Sequence, residues 1–235
     1  MIEVRNLAFT YRSRPVLRDV SFVVSPGEVV SIVGANGAGK TTLLNVLATL
    51  AVPDSGQILL DGQDALARPL RYRRQVGYLP ESPAFYDDMT VKDYLRYRAN
   101  LKGEPAKRVR RRVSEAAEIC RVADCLGVPL KRLSLGVRKR VALADAILLR
   151  PRVLLLDDFL AGLDTGMRRA AGDLLSNAAA FSSVIVTGHE LDDLARWTTR
   201  FLVLRNGLVS SVETAGLEAS ALRARLDAAL EGGAR

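Results

Sequence analysis

Three features are scarce in this 235-residue chain, and each scarcity removes a class of protein. Apolar runs are short: none approaches the ~20 residues that span a bilayer. The longest candidate, Val141 to Leu149, is broken by Asp145 and bounded by Arg140 and Arg150. Cysteine occurs only as Cys120 and Cys125. Their spacing, inside an expected helix, fits no zinc pattern and gives no basis for a disulfide in a reducing compartment. Two packing residues are expected instead. Histidine occurs once, at His189. The N-terminus, MIEVRNLAFTYR, lacks the long apolar core of a signal peptide and alternates like a strand. A cytoplasmic protein is the simplest expectation, and neither an internal repeat nor a low-complexity segment is visible.

What is present is the composition of an ordinary globular chain, 49% apolar and 26% charged, long enough to bury a full core. The net charge is +8 and unevenly spread. Arg68, Arg71, Arg73 and Arg74 form one cluster; Lys107, Arg108, Arg110, Arg111 and Arg112 form another. Neither interleaves with aromatics as a base-stacking surface does, so nucleic acid is not favoured. A solvated helix face is the first expectation for the second cluster, and contact with anionic lipid headgroups the next.

Along the chain, Val4 to Tyr11 and Val16 to Val24 read as strands, then Val29 to Val33 as a buried strand entering a glycine loop. Lys40 to Leu50 reads as helix and Gln57 to Leu60 as strand. Thr90 to Leu101, with Thr90 as N-cap, and Glu104 to Asp124 read as helices. Helix and strand then alternate: helix from Gly136, strand Val153 to Leu156, helix after Asp164, strand Val184 to Val186, helix from Glu190. Phe201 to Leu204 and Leu208 to Val212 flank Asn206-Gly207, a hairpin signal. Leu217 to Leu230 reads as a last helix. The alternation predicts an α/β fold with a mostly parallel sheet, an N-terminal antiparallel β part and an inserted helical subdomain. The expected division is 1–81 with 151–212 as the core lobe, 82–150 as the helical part, and 213–235 as C-terminal helix and tail.

The loop Gly34-Ala35-Asn36-Gly37-Ala38-Gly39-Lys40-Thr41 is a complete phosphate-binding pattern after an apolar strand. Gly34, Gly37 and Gly39 let successive N–H groups, with those of Asn36 and Ala38, converge on phosphate oxygens at a helix start. Lys40 supplies a cation to the outer phosphates, Thr41 a hydroxyl to Mg²⁺, and Thr42 follows it. Val153 to Asp158 is an apolar strand ending in two carboxylates, so Asp157 is placed near the same metal. These features predict a bound nucleoside triphosphate with Mg²⁺. Leu133-Ser134-Leu135-Gly136 starts a helix upstream of that strand end, offering Ser134 and the Gly136 N–H to a phosphate.

The phosphate loop, the acidic strand end and the Ser-x-Gly helix start together resemble the ATP-binding subunit of an ABC transporter, over roughly Val4 to Val212. The resemblance implies a P-loop NTPase core and a dimer, taken as a homodimer, with ATP sandwiched so that Ser134 and Gly136 meet the opposite protomer's nucleotide. It makes His189 the switch histidine at the γ-phosphate, Asp164 a dimer-interface residue, and Tyr11 an aromatic platform for adenine. It also implies a transmembrane permease subunit docking near 81–100, with Phe85 and Tyr86 at the groove, and a location on the inner face of the membrane.

Four positions depart from the family pattern. Asp158 stands where a catalytic glutamate is usual, one methylene shorter; about 1.5 Å of lost reach predicts slow hydrolysis. Glu81 replaces the usual glutamine as metal-sensing residue, and Gly77-Tyr78-Leu79-Pro80-Glu81 resembles a subset serving exporters of ABC-2 and gliding-motility type. Leu135 and Val137 replace a glycine and a glutamine of the signature. Two other readings remain open: an ABC ATPase acting on nucleic acid or ribosomes, and a hydrolysis-poor ATP-binding regulator. Against the first, Glu81 and Ser134 are only 53 positions apart, too close to enclose a coiled coil.

Overall fold

The structure is a computed structural model, described for residues 1–163, 165–214 and 216–231. Strands β1 (Ile2–Tyr11), β2 (Arg14–Val24), β4 (Ser55–Leu60) and β5 (Gln63–Asp64) form an antiparallel sheet in the order β2-β1-β4-β5. Strands β3 (Val29–Val33), β6 (Val76–Leu79), β7 (Val153–Leu156), β8 (Ser183–Thr187), β9 (Arg200–Arg205) and β10 (Leu208–Glu213) form the second, ordered β10-β9-β3-β8-β7-β6. All its pairings are parallel except β10 with β9, the hairpin closed by Asn206 and Gly207.

Helices cover both faces of that sheet: α1 (Lys40–Leu47), α2 (Pro69–Arg73), α3 (Val91–Leu101), α4 (Ala106–Ile119), α5 (Leu135–Ile147), α6 (Thr165–Ala179), the single turn α7 (Leu191–Leu194) and α8 (Ala219–Glu231). The central strands show why a sheet so covered reads as unbroken apolar sequence. In β7, Leu154 and Leu156 join the core shared with α3, α4, α5 and α6, while Val153 and Leu155 join the core beneath β1, β2 and α1. In β3, Val29 and Val33 face the first core, Val30 and Ile32 the second. Successive side chains of a strand alternate between faces, so one five-residue strand welds both cores. The strand order also brings the C-terminal ends of β3, β7 and β8 side by side, which gathers their loops at one edge.

Several expected boundaries move, each for a local reason. The helix expected over Glu104 to Asp124 stops at Ile119, because Arg121 takes a left-handed φ of 52° and Val122 N–H closes onto Ala117 O. Cys120 therefore caps α4 while Cys125 lies in a separate 3-10 turn, Ala123–Cys125. Helix α1 ends at Leu47 rather than Leu50, since Thr49 has φ 56°. The helix expected from Glu190 is one turn, and the last helix begins at Ala219. Helix α2 was not expected: its arginines hid a helix opened by Pro69 at its first position. Its Arg73 donates to the Thr49 hydroxyl and carbonyl at 2.8 Å, fixing it to the end of α1. On α4, Val109 and Val113 turn inward, while Lys107, Arg108, Arg110 and Arg111 are exposed.

Candidate functional site

The loop between β3 and α1 is built by steric exclusion. A Cβ on Gly34 would overlap the Leu204 carbonyl, and one on Gly39 would lie 2.7 Å from Val16 Cγ1. Gly37 and Gly39 have φ 76° and 106°, values that L side chains adopt only with strain. Lys40 opens α1 and folds back over the loop, donating to Gly34 O at 2.8 Å and Ala35 O at 3.1 Å. Partial burial lowers its pKa, and the charges of Asp158 and Asp157 act the other way. A half-buried ammonium facing two carboxylates across a glycine loop suits a polyphosphate with a divalent cation between.

The carboxylates come from the end of β7. Asp157 is 2% exposed; its N–H donates to Leu79 O at 2.8 Å, and its Oδ1 accepts from the Thr187 hydroxyl at 2.7 Å. The same Thr187 oxygen accepts the Asp158 N–H at 2.9 Å. One side chain at the end of β8 thus fixes both acidic residues. Asp158 takes a left-handed backbone, φ 46°, which tilts its side chain out of the line of the strand. Burial raises its pKa, as do Glu190 and Glu81, while His189 and Lys139 lower it.

Among the described residues, Asp157 Oδ2 and Asp158 Oδ1 are buried oxygens with no hydrogen-bond partner. Two orphaned acceptors beside the Thr41 hydroxyl fit a hard cation. Among the described residues no group of three or more His, Cys, Asp or Glu could hold a metal ion alone, so phosphate oxygens would complete the shell.

These residues line one cleft of about 720 Å³. Asn36, Gly37, Gly39, Lys40, Thr41 and Thr42 form its floor. Glu81, Asp157, Asp158 and His189 form one wall; Tyr11, Arg14 and Val16 form the rim. Gly34 and Ala38 line the adjoining cleft behind the loop, which His189 also reaches. Tyr11 is 50% exposed and packs edge-on against Phe9, with ring centroids 4.8 Å apart, leaving a face free at the rim.

Ser134 caps α5, its hydroxyl accepting from Val137 N–H, and Gly136 lies buried against Met167, where a Cβ would overlap the sulfur. Neither residue lines the 720 Å³ cleft of its own chain. Asp164 lies outside the described residues.

Sequence reasoning missed three residues here. Thr187, Arg14 and Lys139 reach the site only through tertiary placement, and the one local signal was a polar Thr closing an apolar strand. The two loop aromatics pack differently. Phe85 packs into the helical core against Tyr94 at 5.3 Å, under the Arg138 guanidinium at 4.9 Å. Tyr86 is exposed and stacks edge-on with Tyr97. The cleft between the two packing units, about 580 Å³, is walled by Leu50, Arg73, Tyr78, Glu81, Arg98 and Lys102.

A glycine loop at a strand end, a buried acidic strand end beside it and a lone histidine just past β8 define a P-loop nucleotide-binding protein. A family model described as ABC transporter matches residues 17–161, well over half of the chain. The uncharacterized ABC transporter ATP-binding protein YxlF of Bacillus subtilis (strain 168) is 32% identical over 210 residues, 89% of this chain and 70% of its own length. The sulfate/thiosulfate import ATP-binding protein CysA of Methylococcus capsulatus is 35% identical over 224 residues, 91% of this chain but 63% of its own length. The energy-coupling factor transporter ATP-binding protein EcfA1 of Streptococcus thermophilus is 35% identical over 221 residues, 91% of this chain and 80% of its own length. Among solved structures, an ATP-binding subunit of an ABC transporter matches with TM-score 0.83 and 29% identity, covering 97% of this chain and 99% of that one. A dimeric bacterial cassette, MJ0796, shares the fold with TM-score 0.81 at 24% identity, covering 92% of this chain and all of that one. The chain belongs to the ABC transporter family, in its ATP-binding part.

Proposed function

We propose that this chain binds ATP with Mg²⁺ in the 720 Å³ cleft and hydrolyses it to power transport by a separate membrane subunit. The convergence of Lys40, Asp157, Asp158 and His189 on that one cleft carries the reading. Thr41, Asp157 and Glu81 would hold the cation, which supplies charge neutralisation between the phosphates. Asp158 orients the attacking water, and His189 contacts the outermost phosphate. Tyr11 offers its free face to the base. The 1–81 and 151–212 segments form the nucleotide lobe, 82–150 the helical lobe, and 213–235 an appended C-terminal part.

A homodimer is part of this reading. Ser134 and Gly136 do not line the cleft of their own chain, so a second copy is the simplest source of a phosphate for them; Asp164 belongs to the same interface. MJ0796, which shares the fold, is itself a dimeric cassette. Among the described residues no helix is long and apolar enough to cross a membrane; in this reading the translocation path belongs to the separate membrane subunit. The 580 Å³ cleft with Glu81, Ser82 and Arg98 on its walls suits a docking segment of that permease, which would hold the subunit at the inner membrane face. Export is the direction supported by Gly77-Tyr78-Leu79-Pro80-Glu81; the relative named for sulfate/thiosulfate import stands for the opposite direction.

The test is Mg²⁺-dependent ATP hydrolysis beside Lys40→Ala and Asp158→Glu. Slow turnover that Lys40→Ala abolishes and Asp158→Glu raises about tenfold or more is the expected outcome. Turnover equal in wild type and Asp158→Glu would remove the shortened-carboxylate argument. Binding of ATP with no turnover in either, even after co-purification with a polytopic membrane protein, would favour the regulator.

A further inference from the structure

Lys139 lies on the second turn of α5, five residues past the Ser134 cap, and is only 6% exposed. Its ammonium donates to three main-chain carbonyls of one turn: Asp158 O at 3.3 Å, Phe159 O at 3.2 Å, and Ala161 O. Those carbonyls belong to the segment that carries the Asp158 carboxylate through its left-handed backbone, and Phe159 and Leu160 anchor it in the core. Burial lowers the Lys139 pKa, while the charges of Asp158, Glu190 and Glu81 favour the cation. A lysine buried for packing alone would leave three carbonyls and an ammonium to satisfy separately; here each solves the other's desolvation.

We infer that Lys139 is the positioning residue for Asp158, and that it links the start of α5 to the hydrolytic turn of the same chain. The inference rests on the ATPase reading above. Three donations from one ammonium set the height and tilt of the Asp158–Ala161 turn, and so the place of its carboxylate. Because α5 rises about 1.5 Å per residue as a rigid rod, Ser134 and Lys139 sit roughly 7.5 Å apart on one body. A phosphate gripped at Ser134 and Gly136 in the dimer therefore acts on Lys139, and through it on the carboxylate facing the chain's own nucleotide. With the shorter Asp158 in place of glutamate, this aim carries more of the catalysis.

The variants Lys139→Met, Lys139→Arg and Ser134→Ala decide it, read by single-turnover ATP hydrolysis, nucleotide binding and amide hydrogen exchange of residues 157–163. Lys139→Met is expected to slow hydrolysis about 10- to 100-fold with ATP affinity within twofold, and to speed exchange in that segment. Lys139→Arg, which keeps the cation, should recover most of the rate. In a double-mutant cycle, Ser134→Ala should cost much less in the Lys139→Met background than in wild type. Unchanged hydrolysis and exchange in Lys139→Met would overturn the positioning role. So would parallel losses of rate and affinity that Lys139→Arg does not recover. Additive Ser134 and Lys139 effects would overturn the link. A wild-type chain without hydrolysis would sink the ATPase reading instead, and the exchange measurement would still judge Lys139.

Discussion

Between Gly34 and Thr41, the groups that would meet a phosphate are main-chain N–H donors and one ammonium, held by glycines that nothing else can replace. Between Asp157 and Ala161, the groups facing the cleft are side-chain carboxylates suited to a cation and a water, whose reach depends on a methylene and on what lies behind the turn. The first region is fixed by backbone shape, so its chemistry follows from a short sequence pattern. The second is fixed by Thr187 from β8 and Lys139 from α5, two residues distant in sequence. Under the proposed function, nucleotide binding is thus the robust property and hydrolysis the adjustable one, because Asp158 and Glu81, the departures that line the cleft, both lie on the carboxylate side.

That contrast can be broken most directly at Asp158. Asp158→Asn keeps shape and removes the carboxylate, so hydrolysis should fall about 10²- to 10⁴-fold with ATP affinity unchanged or slightly higher. Rate measurements beside equilibrium binding check this; a matching loss of affinity would mean that the two regions are not separable. Lys40→Ala is the mirror experiment. Loss of a charge-assisted contact to phosphate should weaken ATP binding about 100-fold, read by titration with a fluorescent nucleotide. Retained affinity would place the phosphates elsewhere. A smaller effect sharpens the rim: Tyr11→Ala should weaken ATP about 2- to 10-fold and leave triphosphate without a base unaffected, since only the base meets the ring.

The same contrast explains what could be read from sequence. The phosphate loop, the strand Val153–Leu156, the Ser134 cap and the Asn206-Gly207 hairpin were legible because each is dictated by its own residues: glycine conformations, an unbroken apolar run, an N-cap, a turn pair. The end of α4 was not, because Arg121 adopts its left-handed φ with no glycine to announce it. Lys139 read as one more charge in Arg138-Lys139-Arg140, and nothing local distinguishes the lysine that turns inward. The stacking of the half-buried Phe85 ring beneath Arg138, against the helical core, was equally invisible in its sequence neighbours. Residues whose role depends on a second element are the ones that a single sequence hides.

The smallest expected effect concerns stability and pH. Asp158 has its pKa raised mainly by burial, with Glu190 and Glu81 adding to the shift and His189 and Lys139 opposing it. A carboxyl whose folded pKa exceeds its unfolded one binds more protons folded than unfolded between the two values, so stability falls as pH rises through that window. At neutral pH the wild-type chain carries this cost in full, whereas Asp158→Asn does not. The variant should therefore melt higher than wild type near pH 7, and its advantage should shrink as pH falls into the ordinary carboxylate range. Asparagine also suits the left-handed backbone at this position, but that preference has no pH dependence. Melting curves of both proteins across pH separate the contributions: an advantage that stays constant would assign the gain to backbone conformation and leave the carboxylate no buried cost. A shrinking one would show that the catalytic side of the cleft holds its carboxylate at the expense of the fold.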